Sequence, residues 1–315
     1  MNARMVIRRF GGGLLVLWLV SLVTFLMVQM IPGDPAEVIA GEHATVAQVN
    51  EIREKLGLNR PVIEQYFSWL GGVLHGDLGK SLFSNRPVTA TIIEAAPPTL
   101  ALALAAIVFA VILGVGTGVI AGLRQGSLID RLVSTLATLG IAMPSFWAAM
   151  LLVSIFSLSL KWLPATSYVP IEDGFGLWLS HIMIPAIALG LATAAELARH
   201  TRGCVADVLT RPYIRTARSR GATTSRLIRR HVLRNAAIPV ITVLGLQTSR
   251  LLGGAIVVEA VVGISGLGTL AVNSVLSRDY PVIQGYVLFC AVVVVALNLI
   301  VDLAYGWINP KVRTS

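Results

Sequence analysis

Charged side chains are scarce in this sequence. Asp, Glu, Lys and Arg make up 13% of its 315 residues, about half the share found in an average soluble domain. Hydrophobic residues reach 55% and the mean hydropathy is +0.78, which excludes water as the main solvent of the folded chain. Cysteine is nearly absent too. Cys204 and Cys290 lie far apart, outside any Cys-x-x-Cys or Cys/His cluster, so no metal or redox centre is encoded and both read as buried thiols. There is no Gly-x-x-x-x-Gly-Lys-Ser/Thr phosphate loop and no His-Glu-x-x-His zinc helix, which excludes an ATP cradle or a zinc protease within the chain. A Ser/His pair in facing spans, as intramembrane proteolysis would need, is missing as well. His75, His181, His200 and His231 fall in loops or at span ends, and His43 falls in an acidic segment. Carboxylates that would couple a secondary transporter to ions are almost absent from the apolar runs, which weakens that alternative.

Long apolar runs are abundant. Stretches near 9–31, 97–122, 132–160, 180–198, 237–260 and 283–305 are each of the order needed to cross a ~30 Å hydrocarbon layer, about 20 helical residues. The first follows Arg4, Arg8 and Arg9, as in a signal peptide, but it is too long and no Ala-x-Ala site follows, so it reads as a retained span. The remaining charge is sorted by side. The N-terminus holds three Lys or Arg, the 123–131 turn two (Arg124, Arg131), the 199–236 loop ten and the tail two (Lys311, Arg313), 17 of 25 in all. Cytoplasmic loops carry such an excess. The pattern predicts an all-α membrane protein of about six transmembrane helices, with N and C termini cytoplasmic and a small extracytoplasmic subdomain after the first helix. An odd number of spans would separate the basic ends.

The segment 32–95 holds eight of the sixteen acids. In it, Thr45 is a plausible N-cap for a helix from Val46 that stops at Gly57, and Pro61 opens a second piece using Val62, Tyr66, Phe67 and Leu70. Gly114, Gly118 and Gly122 recur on one face of the second span and predict close helix packing. Reading Gly116-x-Gly118-x-x-Ala121 as a dinucleotide loop fails for want of a strand or a ribose partner. Pro144 predicts a kink in the third span. Glu259 and Asp302 read as anchors near the ends of their spans. Arg250, midway along the fifth span, is expensive in lipid, about 2.5–3.5 kcal/mol at a helix centre. Three readings stay open: a structural partner such as a carbonyl cluster or Glu259, a pathway residue meeting the acidic end of a peptide, or a snorkelling arginine.

Between the fourth and fifth spans, Arg211-Pro-Tyr-Ile-Arg-Thr-Ala-Arg-Ser-Arg-Gly221 precedes a second basic stretch ending at Pro239. Pro212 suits a first helical turn, Gly221 a left-handed stop, Thr223 or Thr224 a cap, and Pro239 the turn into the fifth span. The result is a rigid basic knob. It could enforce topology, bind anionic lipid headgroups or enter a cleft on a cytoplasmic protein. Without an aromatic platform it does not suit nucleic acid.

Arg215-Thr-Ala-Arg-Ser-Arg-Gly221 resembles the Glu-Ala-Ala-x-x-x-Gly coupling motif of ABC importer permeases, in the form found in the dipeptide/oligopeptide family. Pro32-Gly-Asp-Pro35, Leu56-Gly-Leu-Asn-Arg-Pro61, Gly76-Asp-Leu-Gly79, Arg86-Pro-Val88, Pro144-Ser-Phe-Trp147, His231 with Arg234-Asn235, Gly266-Leu-Gly268, Arg278-Asp-Tyr-Pro281 and Asp302 resemble that family's first permease subunit, in order. The sequence departs from the pattern at Arg215 for the acid, Thr216 for the first alanine, Ser265 for proline, Asn309 for aspartate and Arg250 for a small residue.

The resemblance implies a bacterial inner-membrane, multi-pass subunit that forms half of a translocation pore for di- or oligopeptides. Nickel, glutathione and other small solutes are carried by the same family. It implies as partners a second homologous permease, two ATP-binding cassette subunits, an extracytoplasmic substrate-binding protein and membrane lipid. The chain itself needs no cofactor and is no enzyme, because ATP and Mg would be bound by the partner ATPases. The organisation implied is residues 1–31 as N-terminus and first helix, 32–95 as the extracytoplasmic segment, and 96–315 as a permease core of five transmembrane helices with the coupling loop 199–236. Tyr213, Arg215, Thr216, Ala217, Arg218, Gly221 and Ala222 are the residues expected to meet the ATPase.

Overall fold

The long apolar runs fold as helices, the form in which a chain in lipid satisfies its backbone hydrogen bonds internally. A computed structural model of the protein describes residues 3–30, 34–40, 44–55, 57–165, 167–221, 223–228 and 233–308, side chains being described for most of them. Helices follow one another as α1 (Ala3–Gln29), α2 (Pro35–Ala40), α3 (Val46–Lys55), α4 (Val62–Leu74), α5 (Val88–Leu123), α6 (Leu128–Ala142) and α7 (Ser145–Leu152). A π-helical turn, Val153–Ser159, extends α7. The chain continues as α8 (Phe175–Thr210), α9 (Pro212–Ser219), α10 (Thr224–Leu227), α11 (Leu233–Val262), α12 (Leu267–Ser277) and α13 (Tyr280–Ile308). Among the described residues the only β feature is an isolated bridge, Lys80 to Pro87.

Among the described residues, four helices are long and apolar enough to cross a membrane, and two bent pairs bring the number to six if each is one span. The third span is broken rather than kinked: α6 and α7 meet at 107°. Met143 is extended (φ −83°, ψ 120°) ahead of Pro144, where proline disfavours the helical region in its predecessor. The fifth span bends by 50° between Gln247 and Arg250. It begins at Leu233, ahead of Pro239, so this proline lies within the helix and marks no turn.

The described residues form two compact units, one within 97–269 and 296–308, the other within 3–96 and 270–295. In the first, α8 is the hub. Small residues let helices approach closely where lipid supplies no hydrophobic drive. A Cβ on Gly114 would stand 2.5 Å from the Ala194 carbonyl oxygen, one on Gly118 2.6 Å from that of Ala198, and one on Gly122 2.7 Å from Val205 Cβ. Gly190 returns the contact, 2.7 Å from the Ala106 carbonyl. Leu102, Ala149, Ile182, Leu189, Ala255 and Val258 bring α5, α7, α8 and α11 into one core.

In the second unit, α4 packs on α1 through Tyr66. Its ring lies edge-on to Phe25 at 5.4 Å and its hydroxyl is 3.0 Å from Ser21 Oγ. Val62 and Phe67 stay exposed, so the expected apolar face narrows to the turn around Tyr66. Thr45 and Gln48 cap α3 reciprocally: the Thr45 amide donates to Gln48 Oε1 at 2.8 Å and the Gln48 amide to Thr45 Oγ1 at 3.4 Å. Gly57 ends the segment with φ +67°. Asp34 receives Arg53 Nε at 3.1 Å and the Ala36 amide at 2.8 Å. Burial pushes its carboxyl up, but these donors and the arginine's charge outweigh that and hold it below its ordinary value. Asp279 is buried, accepting from Ser81 Oγ at 2.5 Å and the Leu82 amide at 3.1 Å.

Candidate functional site

The basic segment is built outward from α8. That helix runs 36 residues, about 54 Å at 1.5 Å per residue, well beyond a ~30 Å hydrocarbon layer. The first third of the expected 199–236 loop is therefore rigid helix. Arg211 turns the chain with extended angles (φ −62°, ψ 140°). Its guanidinium donates to Asp207 Oδ2 at 2.7 Å, and that bond with the aspartate's charge holds it above its ordinary pKa. Pro212 opens α9, and Gly221 follows its end with φ +79°, where an L side chain is strained. The Thr223 hydroxyl accepts the Arg226 amide at 3.4 Å and caps α10.

One face of α9 is seated on the fold. Ile214 is fully buried with Leu227, Val205 and Val208, and Ala217 packs against the same cluster. Tyr213, Thr216, Ser219, Arg220 and Gly221 face outward. Among the residues singled out from the sequence, Tyr213, Thr216 and Gly221 thus share an exposed surface, and the small side chain of Ala217 serves the seat. Ala222 and the side chains of Arg215 and Arg218 lie outside the described residues. Close to this seat Asp130, 4% exposed at its side chain, receives both Arg202 Nε and Arg202 Nη2, the latter at 2.8 Å. It also accepts the Gly126 amide at 2.9 Å. The fork ties the start of α6 to α8.

A second polar group lies where α8 meets α11. Arg250 does not pair with Glu259. Its Nη1 is 3.6 Å from Glu196 Oε1, and Gln247 Nε2 donates to Glu196 Oε2. Nor is Glu259 a solvated anchor. It is fully buried, and its Oε2 accepts the Gly268 amide at 2.8 Å, while the Leu267 amide donates to Thr99 Oγ1 at 2.8 Å. A Cβ at Gly266 or Gly268 would stand 2.6 or 2.8 Å from that carboxylate oxygen, which explains the Gly-Leu-Gly spacing. Glu196, Gln247, Asp130 and Arg202 were not singled out from the sequence. A lone carboxylate in the fourth apolar run beside a lone arginine in the fifth was the available signal. Asp302 lies among residues whose side chains are not described. No group of three or more His, Cys, Asp or Glu able to hold a metal occurs among the described residues.

Residues 114–314 match the family profile "Binding-protein-dependent transport system inner membrane component", and residues 2–103 match its N-terminal companion, "Binding-prot-dependent transport system membrane comp, N-term". The chain belongs to this family of ABC importer inner-membrane permeases. It is 43% identical over 308 residues to the glutathione transport system permease protein GsiC of Escherichia coli K12, covering 98% of both chains. It is 40% identical over 313 residues to a putative peptide transport system permease protein of Brucella melitensis, covering 99% of both. Its fold is similar to a chain of the MetNI methionine ABC transporter in an inward-facing conformation, with TM-score 0.56, 17% identity, and coverage of 69% of this chain and 96% of that one. The chain is a multi-pass permease subunit of a bacterial inner membrane.

Proposed function

We propose that the chain forms half of the translocation pore of a peptide importer and that α9 is the part its ATPase grips. The observation that carries this reading is the seat of α9. Buried Ile214 fastens the helix to the extended end of α8, and Tyr213, Thr216 and Gly221 are presented outward in the most basic stretch of the chain. A helix so fastened transmits force instead of absorbing it. The Lys/Arg excess puts this segment and both termini in the cytoplasm, where two ATP-binding cassette subunits would bind ATP and Mg and hydrolyse the nucleotide. A second homologous permease would complete the pore. An extracytoplasmic binding protein would deliver cargo to the side bearing the 32–95 segment.

The substrate class follows from what the two named relatives share. Glutathione is itself a small peptide, and the other relative is named for peptides. Arg250 is the pathway residue of this reading. Affinity purification from native membrane followed by reconstitution tests the whole assignment. The expected result is recovery of a second permease and ATPases, with ATP-driven accumulation of trialanine or glutathione on addition of the binding protein. Recovery of the chain alone, still transporting, would make it a secondary carrier and overturn the proposal.

A further inference from the structure

The polar group between α8 and α11 has the makings of a substrate site. A cavity of about 740 Å³ lies there, lined by Glu196, His200, Thr242, Leu246, Gln247 and Arg250 among others, within the ~300–1,000 Å³ usual for small-molecule pockets. Glu196 and His200 are one helical turn apart on α8. Thr242, Leu246 and Arg250 recur at four-residue steps on α11, so one face of each helix lines the cavity, polar at Glu196, His200, Thr242 and Arg250 and apolar at Leu246. Both charges are held differently. Glu196 is mostly covered and is fixed by Gln247, itself 6% exposed. Arg250 leaves 73% of its side chain exposed, and its 3.6 Å approach to Glu196 is longer than a hydrogen bond. Lipid is a poor neighbour for such an arginine, so it faces protein or a water-filled path. The bend in the fifth span falls between Gln247 and Arg250, beside the cavity that these two residues line.

Resting on the importer reading above, we propose that this cavity is a transient subsite for the ends of a zwitterionic peptide, Arg250 taking a carboxylate and Glu196 an ammonium. The loose ion pair keeps each charge neutralised in the empty pore. An entering peptide replaces both partners at once. Arg250 swings away to its carboxylate, and Glu196 keeps its place through Gln247. A site made in this way binds weakly, because the substrate must displace an existing pair, and weak sites suit a pathway that has to release what it holds.

The test uses the assembled transporter with its partner permease, ATPases and binding protein. Leu246, 69% exposed on the cavity wall, is replaced by cysteine, which leaves both charges in place. Its reaction with a small methanethiosulfonate is followed by mass spectrometry of the peptide containing position 246. The thiol is expected to react, trialanine supplied near its half-saturating concentration to slow the reaction about twofold, as half-occupancy of a weak site would, and Arg250→Gln to abolish that protection. Glu196→Gln keeps an acceptor for Gln247 and is expected to remove the protection by trialanine while sparing that by its N-acetylated form. A thiol that never reacts, protection that never develops, or protection indifferent to Arg250→Gln would overturn the site. If the unmodified transporter still accumulates trialanine, the importer reading survives that failure. If it accumulates neither trialanine nor glutathione, the peptide reading falls and the subsite with it.

Discussion

Asp130 illustrates how a single buried carboxylate holds an element in place. It receives two nitrogens of Arg202 and the Gly126 amide, and removing one partner from such a pair strands the other charge. Asp130→Ala is expected to destabilise the permease by about 3 kcal/mol, and Asp130→Glu to recover part of that loss, as measured by thermal unfolding in detergent. Asp34 makes a subtler prediction because its carboxyl is held below its ordinary value. A depressed pKa contributes stability above the unfolded value, near 3.8, and the contribution is lost as pH falls through the folded one. Protection of the 34–58 segment from proteolysis is expected to weaken on acidification through that window, and less steeply in Asp34→Asn. Neither pairing was legible beforehand. Asp130 and Arg202 stand 72 positions apart, and no local period links residues that meet only after helices pack.

At the scale of the element, glycine spacing makes a sharp comparison within α5. A Cβ at Gly118 would stand 2.6 Å from a backbone oxygen, whereas one at Gly116 meets nothing within 4 Å. Gly118→Ala is expected to lower the unfolding midpoint markedly. Gly116→Ala should leave it equal or raise it, since alanine favours helix by about 1 kcal/mol. For α9, Ile214→Ala is expected to loosen the seat by about 3 kcal/mol and to lower substrate-stimulated ATP hydrolysis in the assembled complex, with expression unchanged. The existence of α9 was readable from Pro212 and Gly221, because both residue types act on the backbone directly. The inward face of Ala217 was not, since it depends on how α9 meets α8. Hydropathy likewise lost α8 at Arg199, where charge begins but helix propensity does not end. Pro144 announced a disturbance in the third span without its angle, which packing decides.

For the whole molecule, composition and the sorting of basic residues were enough to identify a multi-spanning membrane protein, because lipid leaves few alternatives for the backbone. The pairing of Glu196 with Arg250 needed the fold. In the proposed function, force from ATP hydrolysis enters through the exposed face of α9. The most direct test is a photo-crosslinking residue placed at Thr216, on that face, and separately at Phe175, at the opposite end of α8, in the assembled transporter. The Thr216 probe is expected to capture the ATPase with a yield that changes between nucleotide-free and ATP-trapped states, and the Phe175 probe to capture none. An ATPase never captured from Thr216, in a complex that still couples ATP hydrolysis to uptake, would contradict it.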